Sequence, residues 1–547
     1  MVLKNLVSCF IAFLLLGFQS CNNQAETASS VITYKNIEKH IIELSDDKYM
    51  GRMPMSDTEN DVVNYLVSQM KEIGLEGANQ GSYVQEVPIL KVISEISPTM
   101  NVSTPSGILS LTKLTDYVAF SRKVQPEMEL DRSDVVFAGF GIVAQEYQRN
   151  DFNGIDVKGK TILVFVNDPG YGTTSEYFKG NTMTYYGRWT YKFEEAARQG
   201  AKACFIIHET GPAGYPWDVV SKNGETTRLY PNPSNGYRDR CEFEGWISLS
   251  SAEKMFRKCG LSLQEVKQKA ISPEFKPFIL PLKFSGWMKN KFETGSSQNV
   301  CGMIKGKDRS DEAIIYTAHW DHLGISMPVN GDSIYNGASD NASAVSWMLE
   351  IARAYKKTEV PVRSVLFFAP TGEESGLLGS EYYVANPFFE MNKTVAVINT
   401  DVVLFLGHFN DITLTGYGQS ELDDWVAEAA IEQGRYVAAD PNPENGMYFR
   451  SDQFPFVKRG VPAVFAKGFT DAQKLGKEKT LEAIGQYWQT IYHTPEDEYV
   501  AARDDLSGLV DDAVLMFNVG LKLANSDSWP GWKEGSEFKG IREKMLH

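Results

Sequence analysis

Strand-like and helix-like patterns of hydrophobic residues alternate along the chain from residue 298 onward. Apolar runs such as "AIIYTA" and "SVLFFAP" are typical of buried strands, whereas "ASAVSWMLEIARAY" places apolar residues at helical spacing. Strands that alternate with helices favour a parallel sheet with helices on its faces. The expected fold class is therefore α/β, with a mainly parallel sheet flanked by helices.

An amphipathic helix is predicted near the start of the mature chain, in "SDTENDVVNYLVSQMKEIG" (56–74). Ser56 and Glu59 have the spacing of a capping box, and Gly74 suits the end of the helix. The apolar residues between them recur on one face. We expect this helix to pack against the core.

The pattern changes between residues 121 and 285, which predict a second α/β unit. "DVVFAGFGIVA", "KTILVFVNDPG" and "AKACFIIHE" are strand-like, and "TYKFEEAARQG" is helical. The single histidine of this segment, His208, lies within an apolar strand. We expect His208 to be a core residue without a catalytic role.

Composition excludes some classes of partner. The chain has 547 residues, of which 43% are hydrophobic, enough to bury a large core. A formal net charge of −16 and the lack of a basic run argue against nucleic acid as a partner. The six cysteines lack CxxC spacing, so a cysteine metal site is not expected.

The first twenty residues, "MVLKNLVSCFIAFLLLGFQS", have the features of a signal peptide: one lysine, then an apolar stretch too short for a membrane helix. The sequence around Cys21 resembles a bacterial lipoprotein signal, in which Cys21 becomes the lipidated N-terminus. We therefore expect an exported protein, periplasmic or anchored to the outer membrane, with simple secretion as the alternative.

Acidic and histidine side chains recur where the predicted strands end, which is where ligands bind in α/β sheets. Together they offer one histidine and one carboxylate for each of two ions, with a third carboxylate as the fifth, bridging ligand, a donor set that suits zinc. The five candidate ligands are His319, Asp340, Glu374, Asp401 and His493.

Residues next to these ligands have other expected roles. Glu373 precedes a ligand and is free to act as general base on a metal-held water. Asp321, two residues after His319, is suited to orient that imidazole. His322 is then expected to face elsewhere, and Asn341 is expected to cap the following helix.

The motifs "AHWDH", "GASDN", "TGEESGLLGS", "NTD" and "YHTPED", in this order, resemble the co-catalytic zinc aminopeptidase family. That family also contains glutamate carboxypeptidase and the glutaminyl cyclases. The resemblance implies a zinc exopeptidase fold, and the segment 121–285 resembles a protease-associated domain inserted into it.

Carried over residue by residue, the resemblance implies the division of the ligands between two zinc ions. His319 and Asp401 would hold one ion, Glu374 and His493 the other, and Asp340 would bridge them.

The family pattern also implies roles for neighbouring residues. It makes Glu373 the base and Asp321 the orienting carboxylate, and it implies a cis peptide bond after Asp340. Tyr492 resembles an oxyanion-stabilising tyrosine, for which a packed aromatic is the alternative. Arg450 matches a position that contacts substrate, but Gln453 stands where many relatives have histidine.

The expected domain layout follows from these assignments. It comprises a signal peptide (1–20), a linker starting at Cys21 (21–32), the first part of the peptidase domain (33–120), the inserted domain (121–285), the main part of the peptidase domain (286–525) and a C-terminal tail (526–547).

The expected function is that of a two-zinc aminopeptidase acting on peptides. One alternative is a carboxypeptidase of the same family, and another is a single-zinc acyltransferase like the glutaminyl cyclases. A non-catalytic binding protein is the remaining alternative, but no ligand of the motif set is missing.

Overall fold

The computed structural model describes residues 25–222 and 227–547. The predicted signal peptide and Cys21 lie outside the described residues. Within the described ranges, none of the helices combines the length and the apolar composition needed to cross a membrane.

The strands of the described residues are β1 (Glu76–Gly77), β2 (Val84–Ile96), β3 (Thr99–Thr104), β4 (Gly107–Thr112), β5 (Tyr117–Phe120), β6 (Glu127–Phe137), β7 (Val143–Ala144), β8 (Arg149–Asn150), β9 (Thr161–Phe165), β10 (Ala203–Ile207), β11 (Arg228–Pro231), β12 (Phe243–Ile247), β13 (Phe278–Ile304), β14 (Arg309–Thr317), β15 (Gly324–Val329), β16 (Asp332–Tyr335), β17 (Arg363–Ala369), β18 (Thr394–Asn399), β19 (Asp411–Thr415), β20 (Tyr436–Ala439) and β21 (Ala463–Lys467).

The helices are α1 (Tyr34–Leu44), α2 (Glu59–Ile73), α3 (Trp189–Arg198), α4 (Thr210–Ala213), α5 (Trp217–Lys222), α6 (Leu249–Lys258), α7 (Leu263–Ile271), α8 (Ser343–Tyr355), α9 (Leu378–Ala385), α10 (Leu422–Glu432), α11 (Phe454–Lys458), α12 (Lys477–Thr490), α13 (Ser507–Asn525) and α14 (Lys539–Leu546).

The chain forms two compact units. The first consists of the described part of Met1–Val87 together with Ser296–Pro441 and Ser451–His547. The second consists of Pro88–Gly295 and the short segment Asn442–Arg450. The second unit therefore includes residues 88–120, which the sequence analysis assigned to the peptidase domain.

The first unit contains the sheet that the sequence predicted. Its central strands run in the order β17, β14, β18 and β21, and all three pairings are parallel. Antiparallel partners flank this core, with the end of β13 beside β17 and β19 beside β21. The predicted α/β class is confirmed, with a sheet that is parallel at its centre and antiparallel at its edges.

Helix α8 lies in the core of the first unit. Arg353 is its one residue that is not buried, and the helix packs against α1 and α13. Aromatic side chains fill the space between α8 and the sheet, where Tyr316 of β14 stacks on Phe367 of β17 with ring centroids 5.5 Å apart. Burial of such large rings is a major source of stability.

The predicted capping box of α2 is wrong. The helix begins at Glu59, and Thr58 occupies the N-cap without a side-chain hydrogen bond. Glu59 instead accepts hydrogen bonds from the backbone N–H of Met55 and from the hydroxyl of Ser297. Gly74 does end the helix, with φ of 87°.

In the second unit, β6, β9, β10 and β12 form a parallel group, and β5 pairs antiparallel with β12. His208 follows β10 and is buried, as predicted, with a ring nitrogen 3.1 Å from the carbonyl oxygen of Tyr215. The four cysteines among the described residues are free thiols.

Candidate metal centre

The candidate ligands of the first unit lie at the carboxyl edge of its parallel strands. His319 comes two residues after β14 ends, Glu374 five residues after β17, and Asp401 two residues after β18. Because these three strands are neighbours, their carboxyl ends bring the three side chains together. This part of the prediction follows directly from strand order.

Asp340 lies in a tight turn (Ala338–Ala342) just before α8, and the Asp340–Asn341 peptide bond is cis, as the resemblance implied. The prediction that Asn341 caps α8 is wrong. Its side chain is buried, its amide atoms have no hydrogen-bond partner among the described residues, and Ala342 is the N-cap.

His319, Asp340 and Asp401 form the first donor group. The His319 Nε2 atom lies 3.2 Å from Asp401 Oδ1 and 3.4 Å from Asp340 Oδ1. The side chains of His319, Asp340 and Asp401 are all largely buried.

The second donor group contains His493 and Glu374 and shares Asp340 with the first group. His493 Nε2 lies 3.0 Å from Glu374 Oε2 and 3.3 Å from Asp340 Oδ2. Zinc bonds of 2.0–2.2 Å in a tetrahedron separate neighbouring ligand atoms by roughly 3.3–3.5 Å. The separations in both groups approach this spacing, so the residues fit a pair of zinc ions bridged by Asp340.

Glu373 is placed beside the donor groups without belonging to either. Its Oε2 lies 3.9 Å from His319 Nε2, which is farther than two ligand atoms of one zinc ion lie from each other. The backbone N–H groups of Glu373 and Glu374 donate to the two carboxylate oxygens of Asp321, at 3.1 and 3.4 Å. Asp321 therefore fixes the turn that presents both glutamates.

The contact between Asp321 and His319 differs from the expected one. The His319 Nδ1 atom is 3.1 Å from the main-chain oxygen of Asp321 and 3.7 Å from its carboxylate. The imidazole is thus oriented by the backbone of Asp321, because the carboxylate is occupied by the two N–H groups. Second partners of this kind fix the tautomer of a metal-binding histidine.

The expectation that His322 faces away from the site is wrong. His322 is buried, and its Nδ1 lies 2.7 Å from Glu374 Oε1. It forms a further candidate donor group with Asp340 and Glu374. The second histidine of "AHWDH" was the signal that could have identified it, but the donor set was already complete with His319.

The electrostatics of the site favour metal binding. Burial would lower the pKa of His319, but Glu373 and Asp401 raise that pKa well above its usual value. Burial would also lower the pKa of His493, but Glu374 helps to raise it to about 10. Burial raises the pKa of Glu373 well above its usual value, against the effect of His319. The metal-free site therefore holds protons that zinc must displace.

Three buried groups near the site were missed by sequence reasoning. Lys467 donates to the main-chain oxygen of Asp401 at 2.5 Å. Asp452 is fully buried, accepts a hydrogen bond from Ser380, and has a pKa raised by burial to about 7. Arg52 donates to four carbonyl oxygens, including those of Trp320 and Gly337 at 2.9 Å. None has a sequence pattern that marks it.

Tyr492 and Arg450 remain predictions. The ring of Tyr492 stacks on His493 with centroids 3.7 Å apart, and burial raises the pKa of its phenol well above the usual value. Arg450 belongs to the second unit, where it donates to the main-chain oxygen of Asn445 at 2.8 Å and lies over the ring of Tyr215.

Residues 299–518 match the profile of peptidase family M28. They include the ligands of both donor groups, together with Glu373, Asp321 and His322.

Several known proteins are similar to part of the chain. Aminopeptidase NAALADL1 of Mus musculus is 31% identical over 149 residues, covering 26% of this chain and 18% of the relative. Aminopeptidase YwaD of Bacillus subtilis is 36% identical over 114 residues, covering 20% of this chain and 23% of the relative. The chain therefore spans less than a quarter of the length of these relatives.

A solved aminopeptidase from Aneurinibacillus sp. strain AM-1 has 19% sequence identity and a TM-score of 0.49. The comparison covers 92% of this chain and 97% of that structure.

Proposed function

We propose that the protein is a zinc-dependent exopeptidase, and specifically an aminopeptidase that removes N-terminal residues from peptides. The observation that carries the proposal is the position of Glu373. Two donor groups share Asp340, and an acid that belongs to neither group lies 3.9 Å from His319 Nε2. Similar proteins that are named aminopeptidases agree with this interpretation.

The proposed cofactor is a pair of zinc ions. His319 and Asp401 would hold one ion, Glu374 and His493 the other, and Asp340 would contact both. When bound, such ions lower the pKa of a shared water and polarise the scissile carbonyl.

The protein's own groups supply the proton transfers. Glu373 is the proposed general base: its carboxylate takes a proton from the attacking water and delivers it to the leaving amine. Burial, which raises the pKa of Glu373, gives the carboxylate a higher affinity for that proton. Tyr492 is proposed to donate a hydrogen bond to the developing oxyanion. Asp321 keeps Glu373 in place because its carboxylate accepts a hydrogen bond from the backbone N–H of Glu373.

The charge of the site favours a substrate with a free N-terminus. Glu373, Glu374, Asp340 and Asp401 contribute four carboxylates around two candidate ions. A free α-ammonium is favoured in such a field, whereas an acetylated N-terminus has no charge to place there.

A carboxypeptidase of the same family is the second candidate, and an observation in the second unit favours it. Arg188 is buried with its Nε unpartnered among the described residues, and the Nε of Arg450 is unpartnered as well. Burial and the nearby charge of Arg450 together lower the pKa of Arg188 to about 9. The buried guanidinium of Arg188, with no carboxylate partner among the described residues, suits a carboxylate ligand.

A single-zinc acyltransferase is less well supported. It needs one metal, whereas the donor atoms of the first unit form groups on both sides of Asp340. Measured zinc content separates the two functions.

The peptide-end experiment compares hydrolysis of a dipeptide, its N-acetyl form and its C-terminal amide. For an aminopeptidase, acetylation should lower the rate about ten- to a hundredfold while the amide is still cleaved. Equal cleavage of the acetylated and free forms, with no cleavage of the amide, would show a carboxypeptidase.

We also propose export and lipid anchoring through Cys21, and a protease-associated identity for the second unit. The anchor proposal rests on the sequence around Cys21. Expression of the full chain in a bacterium should place it in the membrane fraction, and Cys21→Ala should move it to the soluble fraction. A wild-type chain found only in the soluble fraction would contradict the anchor.

A further inference from the structure

We propose that His322 is a positioning residue for Glu374: its imidazole holds one carboxylate oxygen of Glu374, so that the other oxygen is presented together with His493. This inference deepens the proposed function and rests on it, because it assigns a role toward the zinc ion on that side. It also explains why a second histidine, three residues after His319, is buried in the site.

The two histidine contacts of the Glu374 carboxylate differ in length. His322 Nδ1 lies 2.7 Å from Glu374 Oε1, whereas His493 Nε2 lies 3.0 Å from Glu374 Oε2. Two ligands of one tetrahedral zinc ion are separated by roughly 3.3–3.5 Å. The first contact is a hydrogen-bond distance clearly shorter than that separation, and the second lies nearer to it.

The surroundings of His322 fix the direction of its ring. The backbone N–H of His322 donates to the oxygen of Arg52 at 3.2 Å. Gly337, with φ of 59°, leaves room for the ring, because a Cβ there would lie 2.6 Å from His322 Cδ2. The ring cannot turn to another partner without displacing this glycine turn.

The proton of the imidazole is assigned by the same geometry. An ionised carboxylate only accepts hydrogen bonds, so the Nδ1 atom of His322 must be the donor to Glu374. The Nε2 atom is buried and has no hydrogen-bond partner among the described residues, so the hydrogen bond of this ring is the one through Nδ1.

The consequence is that Glu374 offers one oxygen to a metal. With Oε1 engaged by His322, Oε2 lies 3.0 Å from His493 Nε2, and the same His493 Nε2 lies 3.3 Å from Asp340 Oδ2. Loss of a group that orients a metal ligand typically lowers metal affinity about 10- to 100-fold.

The test compares two substitutions that separate the ring nitrogens. The amide nitrogen of His322→Asn can replace Nδ1, whereas that of His322→Gln lies nearer the position of Nε2. Zinc affinity of the purified full-length proteins is measured by competition with a chromophoric chelator. His408→Gln is the matched control, because His408 makes a 2.6 Å contact with Asp511 while half exposed.

We expect His322→Gln to weaken one of the two zinc ions about 10- to 100-fold and His322→Asn to stay within about threefold of the wild type. Equal zinc affinities for all variants would overturn the proposal. Complete loss of one zinc ion in both His322 variants would also overturn it, because His322 would then be a direct ligand. If the glutamine variant does not fold, His322→Ala replaces it in the same comparison. A wild-type protein that binds two ions but cleaves no peptide would overturn the proposed function and not this inference.

Discussion

The backbone N–H of Asp340 donates a 3.0 Å hydrogen bond to the carboxylate of Asp497. The other oxygen of this buried carboxylate accepts from the N–H of Ser339. Asp497 thus holds the turn that carries the shared donor of both groups, although it lies 157 residues away in the sequence.

Replacing Asp497 with Asn should weaken zinc binding. The amide keeps one acceptor oxygen, but its NH₂ group faces a backbone donor, so one of the two hydrogen bonds is lost. We expect zinc affinity to fall about tenfold or more, measured by chelator competition. Asp527→Asn, at a fully exposed position, is the control and should bind as the wild type does. Unchanged affinity in Asp497→Asn would show that the turn holds Asp340 without this carboxylate.

The two adjacent glutamates should fail in different ways. Glu373→Gln should keep its zinc while kcat falls by at least ~10²-fold, as is usual when a general base is lost. Glu374→Gln should lose zinc. Metal analysis and steady-state kinetics on the same preparations distinguish the effects, and near-normal turnover in Glu373→Gln would refute the assigned roles.

Zinc content should be close to two ions per chain. Chelation should abolish peptidase activity, and added zinc should restore it, because three protein groups per ion, counting the bridge, leave a position for water. The measurement is metal analysis before and after dialysis against chelator. Full activity at one ion per chain would favour the acyltransferase alternative.

Zinc binding should become tighter as pH rises. In the metal-free protein, Glu374 helps to raise the pKa of His493 from 6.5 to about 10, so the imidazole carries a proton at neutral pH. That proton must leave when zinc binds, and it competes less as pH increases toward 10. Calorimetry in buffers of different ionisation enthalpy should show proton release at pH 7.5. Binding without proton release would show that His493 is already neutral.

The same pKa gives the stability of the metal-free protein an opposite pH dependence. A histidine whose pKa is raised on folding stabilises most below its unfolded value of 6.5 and loses that contribution as pH rises toward about 10. Metal-free protein should therefore unfold at lower urea concentration at pH 9 than at pH 6.5, and His493→Gln should reduce the difference. If the wild type and His493→Gln show the same difference in urea stability between pH 6.5 and pH 9, other groups cause the effect.

His208→Asn should affect stability and leave zinc content unchanged. The imidazole is packed among aromatic rings, with Trp217 and Trp246 at 5.5 and 5.8 Å, and burial lowers its pKa below 6.5. We expect a loss of about 1–3 kcal/mol in the free energy of unfolding. Because the folded state disfavours the charged imidazole, wild-type stability should fall as pH drops below 6.5, and the variant should show less of this fall. Loss of zinc from a folded variant would contradict a purely structural role.

Sequence reasoning predicted those parts of the site that follow from strand order. His319, Glu374 and Asp401 follow adjacent parallel strands, so their meeting required only the alternating hydrophobic pattern. The cis bond at Asp340 and the position of His493 depended on the family resemblance, because no local pattern specifies either.

The errors came from local rules that long-range contacts override. Ser56 and Glu59 have capping-box spacing, but Glu59 is drawn to Ser297, which is 238 residues away. His322 was expected to face elsewhere because the donor set was complete without it, yet the turn at Gly337 makes room for its ring. Contacts of this separation cannot be read from spacing along the chain.

The chain passes between the two units at 87/88, 295/296, 441/442 and 450/451, so neither unit is one continuous stretch. On a ribosome, residues 25–87 emerge long before their partner α13. At roughly 5–20 residues per second, the interval between residue 87 and residue 451 is on the order of 20–70 s. The order of synthesis therefore differs from the order of assembly, and the nascent chain must keep its early apolar segments from aggregating until the last third has been made.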